Sequence, residues 1–290
     1  MKRKLSIIFI ILIFLAGLGI MLYPIISNAY IEYKQKNIIN EYNEVVENID
    51  DNTKEEELEH ARDYNKLLIG NAIVTDPFDP EAQKRLEKSS DYFNILNLDE
   101  RGLMGYIVIP KISVKLPIYH GTSEDILQKG VGHLQNTSFP VGGESTHAVL
   151  SGHTGLSSAK LFTDLDKLEE GELFFIEVLG EKLAYKIDQI KIVEPSETSD
   201  LVIKSGEDYV TLVTCTPYGI NSHRLLVRGT RIPYTEDVEK EAKNEENSKV
   251  KSTWRDEYFK ALAVGLGGLS VLGVIFIIIV LVKKKGRRKK

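Results

Sequence analysis

The chain has 290 residues, 37 Lys and Arg against 42 Asp and Glu, and a formal net charge of -5. Ten of the basic residues lie in 1–4 and 283–290, where there are no acids, so the remainder holds 27 bases against 42 acids, or -15. A balance that acidic excludes nucleic acid as a partner, because contacts to phosphate dominate that affinity.

The length allows one or two domains with a sizeable core. Apolar runs mark both ends. Residues 5–26 carry no charge and follow Lys2, Arg3 and Lys4; residues 261–282 are equally uncharged and precede seven Lys and Arg. Each run is close to the ~20 residues that cross the hydrocarbon core as a helix. Basic flanks stay in the cytoplasm. The pattern therefore predicts two transmembrane helices, cytoplasmic termini, and an outside location for everything between. A signal peptide cleaved near Ser27-Asn28-Ala29 is the alternative for the first run. Its apolar core exceeds the ~7–15 residues of such signals, which favours an uncleaved anchor.

Between 30 and 50, Ile31, Ile38, Tyr42, Val45 and Ile49 recur at helical spacing with charges between them. Thr53 and Glu56 read as a capping box opening a second helix, with Leu58, Ala61, Tyr64 and Leu68 on one face and Gly70 as the stop. Asp79 followed by Pro80 reads as a helix N-cap with proline at the first helical position, which leaves Thr75-Asp76-Pro77-Phe78 in a loop.

From Gly102 the period changes to that of strands. Runs at 105–110, 114–119, 146–150, 172–179 and 182–193 are strand-like, with short helical turns at 123–128 and 162–168. Many short strands with few helices predict a mainly β fold, a closed or nearly closed barrel. The polar stretch after Ile232 reads as a flexible tether.

The stretch 209–232 concentrates the chemistry. A β-branched run ends at Cys215, the only cysteine; Thr216 to Asn221 supply turn residues, and a second strand-like run starts at His223. An antiparallel hairpin of this kind brings Cys215 near Arg224. One cysteine allows neither an internal disulfide nor a Cys-based zinc site. The thiolate is the reactive form and a free Cys titrates near ~8.5, so a histidine partner is required. His153, in AVLSGHTGL, again ends an apolar run beside a turn. His133 and His147 are also placed to reach the site, while His60, His120 and His223 are weaker candidates.

The segments SGHTG, TLVTCTPYG and HRLLVRG together resemble the sortase family of Gram-positive cysteine transpeptidases, over about 102–232. The resemblance implies an eight-stranded β-barrel with His153, Cys215 and Arg224 as catalytic residues and no cofactor or metal. Asp76-Pro77-Phe78 is similar to the lid of the pilus-assembling class C enzymes; carried over, Asp76 pairs with Arg224 and Phe78 covers Cys215. The implied reaction cleaves an LPXTG-like sorting signal through a thioester and joins it to a lysine amine of another pilin subunit. Implied partners are pilin or surface proteins bearing such signals, at a cell membrane. The rival readings are a wall-anchoring sortase using peptidoglycan precursor, a membrane-bound cysteine protease, and a non-enzymatic barrel. The organisation expected is an anchor at 1–29, a helical stalk and lid segment at 30–101, the catalytic barrel at 102–235, a polar tether at 236–259, a second span at 260–282 and a basic tail at 283–290.

Overall fold

The computed structural model describes residues 2–70, 73–86, 90–156, 159–245, 256, 258–268 and 271. The chain divides into two units, Met1–Met21 with Lys251–Lys290, and Leu22–Val250.

Helix α1 spans Lys2–Asn48, so the apolar run and the amphipathic segment expected as separate pieces form one element, with Pro24 inside it. In its first part, apolar side chains, among them Leu12, Phe14, Ile20 and Ile26, are exposed, while Ile39, Tyr42 and Val46 near its end are buried. Within Ile11–Asn48 the most apolar window has a mean hydropathy of 2.0 and no buried residue, a helix long and apolar enough to cross a membrane. Of the second expected span, 261–268 and Val271 are helical; its remainder and the basic tail lie outside the described residues.

Helix α2, Asp51–Leu68, starts earlier than the capping box at Thr53 suggested. Asp50 is the N-cap, and its carboxylate accepts from Thr53 N at 3.0 Å and Thr53 Oγ1 at 2.8 Å. Thr53 thus sits at the third helical position, because the carboxylate three residues before it takes the free amide. Gly70 follows the helix end with φ of 77°. Helix α3, Pro80–Leu86, opens as expected, with Asp79 Oδ1 accepting from Glu81 N at 2.9 Å. A five-residue helix α4, Ser90–Asn94, leads into the barrel.

Eight strands close the barrel: β1 Leu103–Ile109, β2 Val114–His120, β3 Val131–His133, β4 Thr146–Ser151, β5 Leu173–Val178, β6 Glu181–Val193, β7 Asp208–Thr216 and β8 His223–Ile232, in the order β1-β2-β3-β4-β7-β8-β6-β5. The β2–β3 and β4–β7 pairs are parallel and the others antiparallel. A four-residue helix α5, Glu124–Leu127, lies in the β2–β3 connection. Strand β3, absent from the sequence reading, is too short at three residues to show a period. Ile107, Ile118, Leu150, Phe174, Tyr185, Leu212 and Val227 fill the core. Two polar clamps tie the helices to it. Tyr42 donates to Met104 O at 3.0 Å and accepts from Leu179 N at 2.9 Å; Asn65 bonds both Phe139 N and Phe139 O, at 2.7 and 3.1 Å.

The expected tether is helical where it leaves the barrel. Helix α6, Glu236–Glu245, packs Val238 and Ala242 against Phe175 and Ala184, and Glu239 bonds Lys182 at 3.1 Å. The dense charge concealed an i, i+4 apolar pair and acids well placed at a helix N-terminus.

Candidate active site

Parallel pairing of β4 and β7 sets Ser151 opposite Val213. The register runs one step further, with Gly152 N donating to Val213 O at 3.1 Å and Thr214 Oγ1 to Gly152 O at 2.7 Å. His153, two residues past the end of β4, and Cys215, two residues beyond Val213 within β7, therefore lie at the same end of adjacent strands. Position 152 requires glycine, since a Cβ there would fall 2.7 Å from the buried ring of Phe162.

On the other side of β7, the hairpin with β8 puts Cys215 directly opposite Arg224 and Thr216 opposite His223. Directly opposed residues share a face with Cβ atoms ~4.5–5.5 Å apart. Pro217 O accepts from Ile220 N and Asn221 N in the turn, and Gly219 and Asn221 have positive φ of 75° and 61°. Cys215 thus occupies the middle of three neighbouring strands, with His153 beyond one flank and Arg224 on the other.

The 75–78 loop closes over this group. Arg224 donates from Nε to Asp76 Oδ1 at 2.9 Å and from a terminal nitrogen to Oδ2 at 2.6 Å, a two-pronged ion pair. Only 11% and 12% of the two side chains are exposed, so the pair is well shielded from water. The Phe78 ring lies 5.8 Å from the His153 ring and 5.1 Å from the Arg224 guanidinium. Touching the groups on both flanks, it bridges the strand that carries Cys215. Phe78 and Val74 also pack on Leu134, Val149, Leu201, Val213 and Leu226, while Pro77 is buried. Asp76 O accepts from Asp79 N at 3.2 Å and from Gln83 Nε2 at 3.3 Å, tying the loop to α3.

Cys215 is half-buried. Burial pushes its thiol up and the Asp76 carboxylate adds to this, against the downward pull of Arg224. Burial and the nearby carboxylate thus both favour the protonated thiol over the reactive thiolate.

His153 Nε2 lies 3.2 Å from Glu124 Oε2. Sequence reasoning did not single out Glu124. It lies 29 residues from His153, and the signal was only that of a short helix beginning after Ser123. The other candidate histidines belong to the scaffold. His133 is fully buried between Tyr92 O–H and Ser138 O, at 2.9 and 2.8 Å, and burial pushes it down to about 3. His147 bonds Val202 O and Thr211 Oγ1, and burial pushes it down to about 4. Neither reaches the site, since both lie within paired strands whose nitrogens are already occupied. His120 faces the carbonyls of Gly102 and Ile95, and His223 faces Glu194 at 3.2 Å. Among the described residues no three His, Cys, Asp or Glu are grouped to hold a metal ion.

The sortase domain model matches residues 107–232. The chain belongs to the sortase family. Within it, similar solved structures include class C sortases. Streptococcus agalactiae sortase C1 is 48% identical, with a TM-score of 0.62 over 70% of this chain and 97% of that one. Streptococcus pneumoniae sortase C is 47% identical, with a TM-score of 0.63 over 69% and 98%. Sortase D of Bacillus subtilis (strain 168) is 33% identical over 131 residues, 44% of this chain. The chain spans 63% of that curated relative and 61% of sortase A from Bacillus anthracis.

Proposed function

We propose that this chain is a membrane-anchored cysteine transpeptidase that cleaves an LPXTG-like sorting signal and joins the new carboxyl end to a lysine amine of another pilin subunit. The observation that carries the reading is Cys215 on the middle strand of three, between His153 and Arg224, beneath a loop ion-paired to that arginine. The loop favours pilus assembly over wall anchoring, and the similar sortase C of Streptococcus pneumoniae is described in terms of pilin substrate specificity.

In this reading the Cys215 thiolate attacks the threonine carbonyl of the signal. The bond to glycine breaks, and His153 gives its proton to the departing amine, leaving a thioester. The incoming lysine amine then attacks the thioester. It loses its proton to His153, and the thiolate departs. Arg224, once released from Asp76, offers its planar N–H pair to the substrate carbonyls and the developing oxyanion, where a pre-positioned donor contributes ~3–4 kcal/mol. The apolar helix α1 anchors the enzyme, and the basic flanks of both apolar runs put the termini in the cytoplasm and the barrel outside.

The test is a product assay on a signal peptide with and without an amine acceptor. Amide product that rises with acceptor at the expense of free acid supports transfer. Free acid alone at every acceptor concentration would make the protein a protease.

A further inference from the structure

The imidazole of His153 has a partner that belongs to the barrel. Its Nε2 lies 3.2 and 3.3 Å from the two carboxylate oxygens of Glu124. Glu124 opens α5, and Gln128 one turn later donates from its Nε2 to Glu124 Oε1 at 2.9 Å, steadying the carboxylate. The imidazole is 18% exposed and the carboxylate 63%. The ring's other neighbour, Phe78, sits on the loop that must lift before substrate binds, whereas Glu124 stays with the barrel when it does. A carboxylate only accepts, so a nitrogen held against it carries the proton.

We propose that Glu124 is a positioning residue for His153, holding the ring with its proton on Nε2 and leaving Nδ1 as the nitrogen that serves the substrate. This rests on the reading of His153 as the acid and base of the reaction. The doubly protonated ring gives the Nδ1 proton to the departing glycine amine and becomes neutral with Nε2–H still donating to Glu124. Nδ1 then takes a proton from the incoming amine and the starting form returns. Glu124 remains ionised throughout, and its part is played through the ring.

The experiment uses the full chain in detergent. Nitrogen-15 NMR of His153 reads the tautomer in wild type and Glu124→Ala, and steady-state transfer to an amine acceptor gives kcat and KM. The expected results are a neutral His153 predominantly protonated at Nε2 in wild type and a mixture of tautomers in Glu124→Ala. With them goes a fall in kcat of about two- to five-fold at unchanged KM, as befits a carboxylate so exposed. Glu124→Asp, which keeps the charge on a shorter arm, should recover part of the loss. The same tautomer in both proteins, or a change confined to KM, overturns the proposal. An inactive His153→Ala protein alongside that result would show that the positioning idea alone had failed; an active one would remove the reading on which it rests.

Discussion

At the scale of residues, each of the three central side chains is asked to do something its nearest substitute cannot. Folded Cys215→Ala should give no product, and His153→Ala should lose orders of magnitude. Arg224→Lys should also be severely impaired, because an ammonium cannot reproduce the paired donation of a guanidinium; near-normal turnover there would reduce the arginine to a general electrostatic role. Gly152 makes a different demand. A methyl group at 2.7 Å from the Phe162 ring has no room, so Gly152→Ala should lose about 1–3 kcal/mol in urea unfolding. Unchanged stability would show that the strand end relaxes freely. Cys215, His153 and Arg224 could be picked out as candidates because each lies where an apolar run meets turn residues. Their assembly was only half legible. The hairpin brings Cys215 to Arg224 locally, but the parallel β4–β7 pairing that sets His153 beside them spans more than 60 residues, and no local pattern encodes it. The scaffold roles of His133 and His147 were not legible for the same reason, since their burial and hydrogen-bond partners are properties of the folded barrel.

At the scale of elements, the proposed reading makes the loop 75–78 a lid. In that reading its ion pair with Arg224 and its ring contacts hold a closed state, so the apparent affinity for substrate is reduced by the fraction of time the loop is open. The rate at which a thiol reagent modifies Cys215 should rise in Asp76→Ala and in Phe78→Ala, by about ten-fold if each contact contributes ~1.4 kcal/mol to closure. The double variant should label fastest. The pH at which labelling reaches half its maximum carries a second signature. Burial and Asp76 both push the thiol up, so removing either should move that midpoint to lower pH. Labelling of the double variant at the wild-type rate and midpoint would make the segment an ordinary loop. The local part of this element was readable, because the Asp79-Pro80 cap follows from residue chemistry alone. The ion pair between positions 76 and 224 came only through family resemblance, since it spans 148 residues. The start of α2 and the helix α6 were misread where charged residues hid a cap and an apolar pair.

At the scale of the whole molecule, the proposed function joins an apolar helix, an acidic central region and a covalent transfer reaction. Protease added to intact protoplasts should remove the central region and spare tags at both termini; loss of the C-terminal tag would overturn the two-span topology. The barrel and its closure were legible as a class from its short strands, though the pairings that close it, β1 with β5 and β4 with β7, were not. Everything in the proposed reaction passes through an acyl group on one sulfur. The most direct test is therefore intact mass after mixing the full chain with a sorting-signal peptide, followed by peptide mapping and addition of an amine acceptor. An acyl adduct on Cys215 is expected that disappears as the amide product forms, with no adduct and no product from folded Cys215→Ala. Amide product from the Cys215→Ala protein, or an adduct that the amine never discharges, would contradict the proposed reaction.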